Sequence, residues 1–255
     1  PTTLMKFEAR MPDIEFPKLT TALFDAYRND PVRFIEEQCG VQNAMTGGRN
    51  WCRPVLTALQ RKVTQDVLLT KEENGDQQYT TALICWARKM SKTILAGLWW
   101  NWKACCQRNE LVIISGTTKY AAEGLAFKTS IEIFNRNPAL AKAVGANPVK
   151  DTIEIKLTSS EIRAVSSSFG AQAGADWSVS HVDELSFFVD KKMLDFFAIV
   201  TTPSLARINP LVCVTSYAPI EGRSTALEEL WRKAHLDPED PDKDPRFYCS
   251  IVQGE

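Results

Sequence analysis

Two short segments of this sequence carry side chains whose types and order could bind and split a phosphoanhydride. The first, Ala87-Arg88-Lys89-Met90-Ser91-Lys92-Thr93, follows an apolar run of strand length and leads into a helical stretch. A strand feeding a tight loop, with Lys-Thr opening a helix, is the geometry of a phosphate cradle. The helix start offers unpaired N–H groups and the positive end of the helix dipole to an anion. In such a cradle the lysine reaches the β- and γ-phosphates and the threonine hydroxyl ligates Mg²⁺. The usual spacing G-x-x-x-x-G-K-[ST] is incomplete, because Trp86 and Ser91 stand at the glycine positions. Alone, the segment reads equally as a helix start with solvated Arg and Lys. The second segment, Val179-Ser180-His181-Val182-Asp183-Glu184, is an apolar strand that ends in two carboxylates. Beside a phosphate cradle, the first acid would hold Mg²⁺ through water and the second would polarise the attacking water. A strand with an acidic cap is the plain alternative, and it loses weight once Lys92-Thr93 is considered with it. A third apolar run ends at Thr215-Ser216-Tyr217. Hydroxyls at the carboxyl edge of a sheet can sense a γ-phosphate, since ligands bind at that edge.

These segments need a scaffold to hold them. Leu56, Leu59, Val63, Val67 and Leu68 recur on one stripe and predict a helix ending before the polar turn 71–78. Thereafter strands are expected at 81–86, 111–115, 179–182 and 211–215, with helices at 92–107 and about 119–135. The runs 152–157 and 161–166, joined by Thr158-Ser159-Ser160, alternate like the arms of an antiparallel hairpin. Strand–helix alternation with near-continuous apolar strands predicts an α/β fold with a mostly parallel central sheet flanked by helices. Ahead of this core, 20–27 and 31–38 predict short helices, the second opened by Asp30-Pro31 as N-cap and first-turn proline. Residues 46–50 read as a flexible loop. The run 237–244, acidic and broken by prolines, reads as an exposed turn or linker, and no internal repeat is present.

The chain has 255 residues, enough for one large α/β domain or two small ones. Thirty Lys and Arg against thirty-one Asp and Glu give a net charge of −1. That balance excludes a uniformly basic nucleic-acid binder and leaves room for a local basic patch. Seven cysteines, with no C-x-x-C pair, predict reduced thiols, and two histidines give a Cys/His zinc site little support. The longest apolar run, 94–100, is far short of the ~20 residues of a membrane span. With no charged-then-apolar leader, a soluble intracellular protein is expected.

The order and spacing of the segments resemble the ATPase domain of the large terminase subunit, the motor that packs DNA into tailed-phage and herpesvirus capsids. The likeness runs over roughly residues 54 to 250. Arg88-Lys89-Met90-Ser91-Lys92-Thr93 is similar to that family's variant Walker A, with its Arg soon after the strand. The run 111–120 looks like the strand and loop that follow it. The hairpin and the glycine-containing loop 169–176 precede Walker B, as in many phage terminases. His181-Val182-Asp183-Glu184-Leu185-Ser186 is similar to the Walker B segment, and Thr215-Ser216 to the coupling motif. Gln60 resembles the adenine-reading Q motif.

The resemblance implies an ASCE-type P-loop NTPase that uses ATP and Mg²⁺. Lys92 and Thr93 would hold phosphate and metal, with Arg88, Lys89, Met90 and Ser91 completing the loop and Gln60 reading adenine. Asp183 would coordinate the metal, Glu184 would be the general base, Arg88 a cis-acting arginine on the γ-phosphate, and Thr215 the coupling residue. Lys89 stays open as the phosphate lysine, because a loop lacking its second glycine can shift register. Ser91 adds a Cβ where backbone would approach phosphate. A surface salt bridge for Arg88 and an exposed helix position for Gln60 are the plain alternatives.

The implied partners are double-stranded DNA, a portal protein and the small terminase subunit. A ring is expected when docked on the capsid and a monomer in isolation, in the host-cell cytoplasm and away from membranes. Residues 1–53 are expected as a helical extension serving as a lid or subunit contact, and 54–236 as the ATPase core. Residues 237–255 would be an acidic linker towards the RNase-H-like nuclease into which the family's large subunit normally continues. The chain would then hold the motor and lack the DNA cutter. Lys119, Lys128, Arg136, Lys142, Lys191 and Lys192 are the cations available for DNA, each as readily a solvated charge. A superfamily-2-like helicase or other P-loop nucleic-acid ATPase, and a nucleotide-binding module with little hydrolysis, are the competing readings.

Overall fold

Runs that are apolar on both faces become strands covered on both faces, and the arrangement follows from that burial. The computed structural model describes residues 15–42, 51–166, 176–202, 207 and 209–252. The expected loop 46–50 and nearly all of the loop 169–176 lie outside them.

The chain opens with helices α1 (Thr21–Tyr27) and α2 (Pro31–Gln38) and a two-stranded antiparallel ribbon, β1 (Val41–Gln42) with β2 (Trp51–Cys52). Helix α3 (Ala58–Leu69) precedes β3 (Thr81–Trp86), α4 (Lys92–Cys106) and β4 (Leu111–Gly116). Then come α5 (Lys119–Ala122), α6 (Leu125–Arg136), α7 (Pro138–Val144), β5 (Ala146–Val149), β6 (Thr152–Ile155) and β7 (Ser160–Ser166). The chain continues through β8 (Val179–Asp183), α8 (Lys191–Thr201), β9 (Leu211–Ser216), α9 (Thr225–Ala234) and β10 (Phe247–Val252).

One 8-stranded sheet has the order β10-β3-β9-β8-β4-β7-β6-β5. Strands β10 to β7 in that order run parallel, while β6 and β5 are antiparallel. The α/β sheet and the antiparallel hairpin are therefore as expected, with β5 added as a third antiparallel strand.

Strand alternation divides the interior in two. Ala82, Ile84 and Trp86 of β3 join Leu95, Leu98 and Trp99 of α4 in one core, while Leu83 and Cys85 face Phe196, Val200 and Leu227 of α8 and α9. Helices α1 and α2 belong to the first core through Tyr27, Phe34 and Ile35. The Trp102 indole donates to the Tyr27 carbonyl at 2.7 Å, so the described part of the N-terminal segment is packed into the body.

Two expectations differ from the structure. The single helix at 119–135 is broken into α5 and α6 around Gly124, where a Cβ would come within 2.7 Å of the Ala121 carbonyl oxygen. The other lies in the stretch read as a linker, where Phe247–Val252 pairs with β3 along its whole length, from Phe247↔Thr81 to Val252↔Trp86. Its sequence Phe-Tyr-Cys-Ser-Ile-Val has no two-residue alternation, and the acidic run before it masks it.

Close approach of α4 and α6 depends on Gly97, whose carbonyl accepts from Asn101 Nδ2 at 2.9 Å and Ser130 Oγ at 3.4 Å. A Cβ there would lie 2.7 Å from the Ala126 carbonyl oxygen. Gly97→Ala gains about 1 kcal/mol of helix propensity yet forces the helices apart, so a net loss of about 1–2 kcal/mol is expected. Urea unfolding checks it; a stabilised variant would show that α6 yields freely.

Candidate functional site

Parallel strands deliver their carboxyl ends to one edge of the sheet, and the chemically interesting side chains gather there. Strand β3 leaves the sheet at Trp86 and turns through residues 87–91 into α4. The entry is tied to the edge strand, since Ala87 N donates to Val252 O at 2.9 Å. Lys89 and Ser91 have φ of 67° and 61°, the left-handed region that glycine favours. Ser91 thus holds a backbone conformation that glycine would adopt more readily. No side chain caps the first turn of α4, which leaves its N–H groups available.

Lys92 and Thr93 point inward and are buried, at 5% and 6% exposure, whereas Arg88 and Lys89 are exposed. Thr93 Oγ1 donates to Asp183 Oδ1 at 3.1 Å, and Thr215 Oγ1 donates to the same oxygen at 2.6 Å. The register explains the second contact, because Asp183 of β8 stands directly beside Thr215 of β9. His181, two residues before Asp183 and on the same strand face, places Nε2 2.9 Å from Thr215 Oγ1. The threonine proton is committed to Asp183, so the imidazole is assigned as the Nε2–H donor. His181 Nδ1 is buried without a partner, and burial pushes the imidazole down to about 3. A neutral ring therefore aims the hydroxyl.

Glu184 follows in the left-handed conformation, φ 57°, with its N–H held by Thr215 O at 2.7 Å. This turn brings Glu184 Oε1 to 3.9 Å from Lys92 Nζ. Burial lowers the Lys92 ammonium, against the pull of Glu184 and Asp183. Burial likewise raises the Asp183 carboxyl, against the two hydroxyls and Lys92. For both groups desolvation outweighs pairing.

Of the remaining expected residues, Gln60 fills two roles in the helix and loop. Its Oε1 accepts from Thr57 N at 3.0 Å in the capping box of α3, and its Nε2 reaches Met90 O at 3.4 Å. Arg88 makes no ion pair among the described residues, and its guanidinium lies 5.3 Å from the centroid of the Tyr217 ring. That ring also receives Lys92 Nζ at 3.4 Å. His181 and Tyr217 were not singled out from sequence. Two-residue spacing from Asp183 could have found His181, while only the fold brings Tyr217 onto Lys92.

No group of three or more His, Cys, Asp and Glu among the described residues could hold a metal by itself. Thr93 and Asp183 together offer the hard oxygen donors that suit Mg²⁺, which keeps waters and phosphate oxygens as its other ligands. Among the candidate DNA cations, Lys119 pairs with Asp151 and Glu123, while Arg136 stacks on Trp51 and pairs with Glu132. Lys128, Lys142, Lys191 and Lys192 are exposed.

The chain is similar to the crystal structure of the HK97 bacteriophage large terminase, at 21% identity and a TM-score of 0.68 over 88% of this chain. It spans 43% of that protein's length. The large terminase ATPase domain of Thermus phage P74-26 matches at 13% identity and a TM-score of 0.52, covering 75% of this chain and 84% of that one. The large terminase of a thermophilic bacteriophage matches at 14% identity and a TM-score of 0.51, covering 78% and 46%. At such identities the likeness establishes the fold alone, a mostly parallel α/β sheet flanked by helices. No protein-family model and no curated protein matches the chain.

The buried imidazole makes a pH prediction. Its folded value lies below the usual 6.5, so the unfolded chain takes a proton that the folded chain refuses. The contribution is intact above pH 6.5 and is lost as pH falls towards 3. Between pH 6.5 and 5 stability should fall by about 2 kcal/mol from this group. His181→Gln should flatten that slope in urea unfolding, although Asp183, raised by burial, works in the opposite direction. Equal slopes in both proteins would contradict a neutral buried ring.

Proposed function

We propose that this chain is the ATP-hydrolysing motor of viral DNA packaging, coupling ATP hydrolysis to translocation of double-stranded DNA into a procapsid. The observation that carries the reading is the convergence of Thr93 and Thr215 on Asp183 Oδ1, with Lys92 3.9 Å from Glu184, at the carboxyl edge of a parallel sheet. Three of the solved structures similar to this chain are large terminases or their ATPase domain.

Lys92 would neutralise the β- and γ-phosphates, and the uncapped N–H groups of α4 would add donors to them. Thr93 and Asp183 would hold Mg²⁺, which when bound offsets charge on the transferring phosphoryl group. Glu184 would take a proton from the attacking water. Arg88, exposed within the loop, would stabilise charge on the γ-phosphoryl oxygens in cis. Thr215, hydrogen-bonded between His181 and Asp183, would pass a change at the metal site to β9. Gln60 would read adenine with the second amide hydrogen and lone pair that Met90 O and Thr57 N leave it. A portal protein, the small terminase subunit and a ring of copies of this chain, in the host cytoplasm, complete the proposal. Lys128, Lys142, Lys191 and Lys192 are the DNA contacts it favours.

A nucleotide-binding module with little turnover is the second reading. It is favoured by the loop itself, where Lys89 and Ser91 hold left-handed backbone at a cost of order 1 kcal/mol each.

Four variants test the proposal. Lys92→Ala should abolish ATP-dependent thermal stabilisation while Lys89→Ala retains it; the opposite pattern would move the phosphate lysine to Lys89. Glu184→Gln should still bind ATP and turn it over roughly 10²-fold more slowly. Binding without phosphate release in the parent would favour the second reading. Arg88→Ala should lower turnover ~10³-fold with ATP affinity within a few-fold, and parent turnover per subunit should not depend on protein concentration. Steep concentration dependence would place the arginine on a neighbouring subunit.

A further inference from the structure

Tyr217 is the first residue beyond β9, half-buried, and its ring lies on the ammonium proposed to hold phosphate. Lys92 Nζ is 3.4 Å from the ring centroid, and the Arg88 guanidinium is 5.3 Å from the same centroid. The phenol is pushed above its usual value by burial and then by the Glu184 carboxylate beside its hydroxyl. One side chain therefore touches three groups assigned to ATP chemistry. A buried ammonium needs compensation, and the negative face of an aromatic ring supplies part of it.

We propose that Tyr217 is a positioning residue that covers Lys92 and must leave when phosphate arrives. The proposal rests on the ATP reading above. Lys92 is buried and its Nζ faces the Tyr217 ring at 3.4 Å, so the ring stands where a phosphate oxygen would approach that side of the ammonium. Glu184 is fixed through its N–H to β9, whereas Tyr217 sits on the loop beyond that strand. Its departure releases Lys92, Arg88 and Glu184 together, so the catalytic arrangement forms only around a bound nucleotide. The loop also carries the movement outward. Ser224, just before α9, accepts from Ile220 N at 3.1 Å and donates to Ser186 O at 2.9 Å, in the turn that follows Glu184.

The experiment uses the chain as it stands, with Tyr217→Ala and Tyr217→Phe. Lys92 accessibility is read without nucleotide as its rate of acetylation by acetic anhydride, mapped by peptide mass spectrometry against exposed Lys142. Mg²⁺–ATP affinity is read by calorimetry. In Tyr217→Ala the Lys92 rate should rise about tenfold and ATP should bind about tenfold tighter, the scale of one desolvated cation–π contact. Tyr217→Phe, which keeps the ring, should label like the parent. Should Tyr217→Ala fail to fold, Tyr217→Leu keeps the bulk and removes the π face. An unchanged Lys92 rate overturns the proposal, and so does weaker ATP binding, which would make Tyr217 a nucleotide contact. Faster labelling with no ATP bound by either protein would instead overturn the ATP reading and, with it, the role of the cover.

Discussion

A lysine ammonium withdrawn from water must find negative charge or π density nearby, or lose its proton. At the carboxyl edge of this sheet Lys92 finds Glu184, Asp183 and the Tyr217 ring within one small volume. The compensation is incomplete, since burial still lowers Lys92 and raises Asp183. Charges held under such conditions weaken the fold that contains them. Sites of this kind persist where the charges have work to do, which is the physical case for reading this edge as the functional one.

The backbone around the site carries the same signature. Lys89, Ser91 and Glu184 all adopt left-handed φ without being glycine. Each marks a sharp turn at a strand end: two lie in the loop between β3 and α4, and one follows β8. Such conformations survive only where the surroundings over-determine them. Here the constraints are visible as Ala87 N on Val252 O, Gln60 Nε2 on Met90 O and Glu184 N on Thr215 O. The loop is thus gripped from both sides, by α3 and by the edge strand β10.

That grip gives peripheral elements a part in the site. β10 lies at the sheet edge, yet its last residue holds the entry to the loop, and Ser250 Oγ accepts from the Trp86 indole at 2.9 Å. Helix α3 is opened by a capping box whose glutamine also reaches the loop. The line between scaffold and site therefore does not follow the chain order.

Much was legible in the sequence because it depends on local periodicity. Apolar runs gave β3, β4, β8 and β9, Asp30-Pro31 gave the start of α2, and the strand-loop-Lys-Thr order gave the candidate phosphate loop. The break at Gly124, strand β10 and strand β5 were not legible, since each is decided by what packs beside it. The different burial of Lys92 and Lys89 also needed the fold. Both are lysines in one loop, and only the direction of α4 buries the first and exposes the second. The sequence by itself determined which residue types stand at the strand ends, because strand and helix periods are written in neighbouring side chains. Tertiary structure alone decided that His181 supports Thr215 and that Tyr217 covers Lys92. Those contacts depend on strand order and register, which join residues far apart in the chain and leave no local pattern to read.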